Sequence, residues 1–348
     1  MLSRVADSIF WMARYMERAE NLARLLLANQ TLMLDSGGND DGAFWEPILM
    51  TTGDEEGYTA LYAHVTGDNV QEYLSANPKN PNSIVNCIRT ARENARMVRD
   101  QLTDELWRAV NDLYLHVTSE KGVQLRRQSS ADFYETIMQG SGLFQGVARA
   151  TMMRNQAWQF LQMGTYLERA DKTSRLIDTC SNVALVVPPH PDARPLRWQA
   201  LLRSCSAWHG YREHHTSVVP RDVIDFLFLS EQFARSVRFC VREVYNALKQ
   251  LPAPPGSPPT SNPLRLAGRL FNDVDLAVVD DILDAGLHEY IDLLQSRLNS
   301  LGAAIFQTHV LYADPTQITA PAPITTQAAA PLGAWHTDLD MQMQQQQQ

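Results

Sequence analysis

Two short stretches of this sequence carry the same potentially reactive side chains. Residues 15–25 read YMERAENLARL and residues 166–176 read YLERADKTSRL, with six of eleven positions identical at a constant offset of 151. At 100° per residue, Glu17, Glu20, Asn21 and Arg24 fall in one narrow stripe, and Glu168, Asp171, Lys172 and Arg175 repeat it. On the same geometry Arg18 and Arg169 point elsewhere, toward Trp11 and Leu25 in one helix and Trp158 and Leu176 in the other. The rest of each stretch is largely apolar, the pattern of a buried helix, and buried charge needs partners.

Three readings follow. Glu20–Arg24 and Asp171–Arg175 can be exposed i,i+4 pairs, worth roughly 0.3–0.5 kcal/mol each. The stripes can be a buried ion network binding two related helices. Or they can form a polar functional site, with Glu17, Arg18, Glu20, Asn21, Glu168, Arg169, Asp171 and Arg175 as binding residues. In that case Glu17 or Glu168 is the candidate catalytic acid or base, provided burial raises its pKa.

Other clusters say less. Arg89, Arg92, Glu93, Arg96 and Arg99 recur on one broad helical face, either solvated or suited to a phosphate or carboxylate; Arg92, Glu93 and Arg96 join the binding candidates. Arg203 and Arg212 flank a third polar helix, and Arg203 is added to the set. A di-iron bundle needs Glu-x-x-His twice, and Glu20 and Asp171 stand where the histidines would be. His209 and Glu213 are one turn apart, a spacing with no stated mechanism. No metal and no cofactor is expected. Gly140, Gly142 and Gly146 lack the order of a phosphate-binding loop and follow no strand, so they read as a helix break; no P-loop or nucleophile elbow occurs.

The elements that must position these residues are helical, and the fold class is all-α. Long helices are expected over 3–34, with Ser3 as cap and Gly37-Gly38 as stop, and over 83–117, as two helices meeting near Thr103. A run over 130–181 ends at the prolines of 187–191; further helices follow at 195–214, 221–249 and 280–311. Residues 251–263 read as a linker. The expected organisation is one domain over 1–312, with pseudo-repeat halves of about 1–128 and 129–312, and a disordered Pro/Ala/Gln-rich tail over 313–348.

The net charge of −9 gives no footprint for nucleic acid. No stretch reads as a membrane span or a signal peptide. Cys87, Cys180, Cys205 and Cys240 are far apart and form no C-x-x-C pair, which fits a reducing cytoplasm.

Taken together, the two Glu-Arg helices resemble the alpha-E domain, a bacterial all-helical family named for its Glu-Arg motif. The resemblance runs through LSRVA at 2–6, ARENAR at 91–96, WQFLQMG at 158–164, WQALLRS at 198–204 and Arg235-Ser-Val-Arg238, covering about 1–311. Ala234 stands where the family pattern has proline, and the His209 cluster lies outside that pattern. The resemblance implies an association with circularly permuted ATP-grasp ligases and transglutaminase-like proteins, in the making or processing of peptide-like amide bonds. With no nucleotide loop here, the ATP chemistry would belong to the partner. An enzyme in its own right and a purely structural scaffold remain the alternatives.

Overall fold

The computed structural model describes residues 3–35, 42–186, 193–252 and 262–310. Among the described residues there are sixteen α-helices and no strands, as the pattern predicts. They are α1 (Ser3–Asp35), α2 (Glu46–Thr52), α3 (Glu55–Thr59), α4 (Gly67–Ser75), α5 (Ile84–Met97), α6 (Asp104–Thr118), α7 (Glu120–Gln128) and α8 (Ser130–Thr151). After these come α9 (Gln156–Val186), α10 (Ala193–Ser204), α11 (Trp208–His214), α12 (Pro220–Leu229), α13 (Val237–Lys249), α14 (Pro263–Asp275), α15 (Val279–Ala285) and α16 (Leu287–His309).

Helix starts follow their caps. The side chains of Thr66, Thr103, Ser119, Ser236 and Asn262 each accept a backbone N–H from the first turn they precede. Thr103 thus separates α5 from α6 where the sequence places the junction. The stop at Gly37-Gly38, the 187–191 prolines, most of the 251–263 linker and the tail lie outside the described residues.

Several helix boundaries differ from expectation, and the regions read as 195–214 and 221–249 are each divided, at residues 205–207 and 230–236. The glycines at 140, 142 and 146 do not break a helix; α8 runs through all of them. Gly140 is there for closeness instead, since a Cβ would lie 2.5 Å from the Leu113 side chain on α6. The break falls at residues 152–155, so the second Glu-Arg helix begins at Gln156. The region read as 280–311 is split at Gly286, whose φ of 95° is closed to most side chains. Finally, α14 went unread because a proline-rich stretch precedes it. Pro263 in fact opens that helix behind the Asn262 cap, where its missing N–H costs nothing.

α1 and α9 form the centre. On α1, Ile9, Met12, Ala13, Met16, Ala23 and Leu26 are fully buried, as are Met163, Ala170 and Ile177 on α9. The two helices pack on each other, while α5, α8 and α10 cover α1 and α13 and α16 cover α9. One hydrophobic core is continuous from Ala6 to Ile305. The approach of α1 to α9 is set at Gly164, where a Cβ would lie 2.3 Å from the Phe10 carbonyl oxygen.

Gly164→Ala should therefore lower stability by about 1–3 kcal/mol through overpacking. Gly142→Ala, on an exposed face with nothing within 4 Å of the added carbon, should raise it by about 0.5–1 kcal/mol through helix propensity. Urea melts of the two variants check the opposite signs.

Candidate functional site

The buried helix pair brings the two Glu-Arg dipeptides together, and each glutamate is taken by the arginine of the other. Arg169 donates from Nε to Oε1 of Glu17 at 2.9 Å and from Nη2 to Oε2 at 2.7 Å. Arg18 donates from Nε to Oε1 of Glu168 at 2.7 Å and from Nη2 to Oε2 at 3.2 Å. Both pairs use the two-pronged geometry that suits a guanidinium to a carboxylate. Each of these arginines also lies over the tyrosine three residues before it, Arg18 over Tyr15 and Arg169 over Tyr166, both at 5.3 Å from the ring centre.

This corrects one expectation. Arg18 and Arg169 do not point away from the polar stripe. Because α1 and α9 are enclosed nearly all round, adjacent residues 100° apart both meet protein, and a long side chain spans the difference.

A second arginine completes each carboxylate. Glu17 also accepts from Arg235 Nη1 at 2.7 Å, and Glu168 accepts from Arg14 Nε at 2.7 Å. Arg235 comes from the 230–236 segment between α12 and α13, whereas Arg14 is one turn back on α1, so the second arginine is not matched between the two sides. Arg235 further donates to Asn21 Oδ1 at 3.0 Å and to Glu20. Its segment is tied to α9, since Ala234 O accepts from Arg169 at 3.2 Å and Arg235 O accepts from the Thr173 hydroxyl at 3.0 Å.

Glu20 gathers four donors. Arg24 reaches its Oε1, Arg235 shares that oxygen, and Ser141 Oγ and Gln145 Nε2 donate to its Oε2 at 2.6 and 2.9 Å. Asp171 is held by Arg175 Nε, 3.1 Å from both oxygens, with Lys172 Nζ 3.4 Å away. On the other flank, Arg18 Nη1 donates to Asn82 Oδ1 at 2.6 Å, and Asn82 donates to Asp54 Oδ1 at 3.4 Å.

The expected i,i+4 pairs are thus both made, but inside a buried network. Sequence reasoning missed Arg14, Asn82, Ser141, Gln145 and Arg235 as members of it. Arg14 lies one turn before Arg18, which is a readable signal. Ser141 and Gln145 sit inside the stretch dismissed as a helix break.

The electrostatics also run against acid or base catalysis. Burial alone would raise Glu17, but the Arg169 and Arg235 charges and hydrogen bonds overcome it and hold the carboxyl at about 2. Burial likewise opposes ionisation of Glu168, and Arg18, Arg14 and Lys172 hold it well below its ordinary range. Asp171 is also held low, mainly by Arg175 against burial. The raised pKa required of a catalytic Glu17 or Glu168 is absent. These are fixed anions with their oxygens engaged. The four cysteines are free, and burial pushes each thiol up to about 12, so none is poised as a nucleophile.

The remaining candidates do not join the network. Arg92 donates to Asn111 at 3.0 Å and to Glu93 at 2.6 Å, lying 4.8 Å over the Tyr114 ring. Arg96 donates to Glu93 at 2.8 Å, and this face is solvated. Arg203 lies 3.8 Å from Asp35 and over Trp208. His209 is nearly fully exposed, 3.4 Å from Glu213. Among the described residues, the one group of three potential metal-ligating side chains brought within reach of one another is Asp178, His288 and Asp292, with His288 and Asp292 exposed.

The fold and site define an all-helical protein closed by two exchanged Glu-Arg pairs. The chain belongs to the Alpha-E family, described as an alpha-helical domain with a conserved ER motif, whose pattern matches residues 1–310. It is 28% identical over 287 residues to an uncharacterized protein of Mycobacterium bovis, and 27% identical to one of Mycobacterium tuberculosis. Each alignment covers 77% of this chain and 31% of the relative, so the chain spans about a third of the length of the curated relatives it matches. No solved structure matches it. No helix among the described residues is long and apolar enough to cross a membrane.

Removing one partner of this network leaves buried charge uncompensated. Glu17→Gln and Glu168→Gln should each cost about 3–5 kcal/mol in urea melts, whereas Arg96→Ala on the solvated face should cost less than about 1 kcal/mol. Acid stability follows the depressed pKa. Glu17 has an ordinary value of 4.5 and sits at about 2 when folded. Its contribution is full above pH 4.5 and is lost as pH falls toward 2. The slope of stability against pH in that window should be shallower in Glu17→Gln than in wild type; equal slopes would mean the carboxylate is not held low.

Proposed function

We propose that this protein is a helical accessory or substrate-binding partner of an ATP-grasp amide ligase, within a peptide-modifying system that includes a transglutaminase-like protein. The observation that carries this reading is the saturation of the Glu-Arg motif. Glu17 and Glu168 are buried and ionised, and each is engaged by two arginines. Such a motif holds a shape rather than moving a proton. The work left to a domain built around it is to present a surface or cavity to chemistry performed elsewhere.

Two further points support the reading. The sequence carries no recognisable nucleotide-binding loop, which is in keeping with ATP being bound by the partner. The mycobacterial relatives are about three times as long as the region they share with this chain, a pattern expected of a module that works beside other domains. The Glu-Arg residues then act as the frame, and direct contacts to the partner come from outer faces such as that of Arg92, Glu93 and Arg96. The free thiols of all four cysteines fit a cytoplasmic setting for this partnership.

Purified alone, the protein should hydrolyse no ATP. Co-expressed with an ATP-grasp ligase from the same genome, it should co-purify and stimulate amide formation. ATP turnover by the isolated chain, or ligase activity indifferent to its presence, would sink the proposal.

A further inference from the structure

Beyond the Glu-Arg network, the same two central helices frame a cavity that none of the interactions above uses. It is about 90 Å³ in volume and lies between α1, α2, α9 and α10. Its walls are mainly apolar, with Leu25, Ile48, Leu176 and Leu201 among them. Two polar side chains stand out. Asn29 lines the cavity, is 6% exposed, and its amide nitrogen has no hydrogen-bond partner. Arg197 is the one charged residue of the lining.

These features select a ligand class. The volume is below the ~150 Å³ of an apolar cavity that takes benzene, which allows a chain of about four or five carbons. An apolar wall with few polar groups is the usual form of a small-molecule site, the polar groups fixing orientation. A guanidinium matches a carboxylate in charge and in its two-pronged geometry. A buried amide nitrogen without a partner offers a donor to an oxygen of the same head group.

We propose that this cavity is a binding site for a short branched or linear aliphatic monocarboxylate, with the chain among the leucines and the carboxylate toward Arg197 and Asn29. The site stands on the cavity alone and does not depend on the ligase partnership. Failure of either reading leaves the other intact.

The test is calorimetric titration of the full-length protein with isocaproate, and with isohexylamine as the same chain bearing the opposite charge. Isocaproate should bind saturably, and the amine at least tenfold more weakly. Arg197→Met, with its melting temperature checked, should weaken isocaproate at least tenfold. Ala200→Phe, which grows a ring from the lining, should abolish binding. No saturable heat from isocaproate at millimolar concentration would overturn the assignment, as it would if the protein's own chain fills the cavity. Equal affinity for acid and amine, or unchanged affinity in both variants, would do the same. The wild-type comparison decides the matter even if a variant fails to fold.

Discussion

Everything in this structure depends on the cost of burying an ionised carboxylate. A glutamate 0% or 1% exposed, as Glu168 and Glu17 are, is tolerable in a core only when its oxygens are matched by fixed donors. The chain meets that demand by exchange. Each Glu-Arg dipeptide gives its anion to the other helix and takes that helix's anion in return. The exchange can be satisfied in one register of α1 against α9. Sliding one helix by a turn would strand four charges at once. A hydrophobic seam of similar area would tolerate such slips far better, because apolar contacts are non-directional.

The second arginine on each side extends this constraint outward. Arg14 keeps the Glu168 side within the helix pair, but Arg235 draws in the segment before α13. Gln145 and Ser141 draw in α8, and Asn82 draws in the segment before α5. Elements far apart in sequence are thus referred to one electrostatic centre. Hydrogen bonds to charged groups contribute more than neutral ones, yet much of their worth here is specificity. A buried network is a costly way to gain stability and an effective way to disfavour alternative packings.

The sequence made the frame legible and left the closure hidden. Periodicity, caps and the duplicated YxERA string were enough for an all-helical chain with two special helices. The exchange itself was not readable, because a helical wheel treats each helix as having one outside. Arg18 was assigned away from the stripe on that ground; only the enclosure of α1 on all sides lets both members of a dipeptide face partners. Glycine was misread for a related reason. At 140 its role is contact with Leu113 across helices, a tertiary fact with no local sign. Arg235 has no periodic signal that would place it on Glu17 and Glu20, since it lies in a segment between helices whose path depends on the packing it helps to fix.

The network and the cavity are consecutive parts of one helix pair. Leu25 and Asn29 follow Glu17 and Glu20 along α1, and Leu176 and Cys180 follow Glu168 and Asp171 along α9. The spacing of α1 and α9 at the exchanged pairs therefore constrains the width of the cavity one to three turns farther on. For the carboxylate site proposed above, the Glu-Arg motif, its carboxylates saturated by arginines, acts as a spacer rather than a contact. It fixes two helices to the tolerance that a small apolar site needs, by using interactions whose geometry is far less forgiving than that of the leucines lining the site.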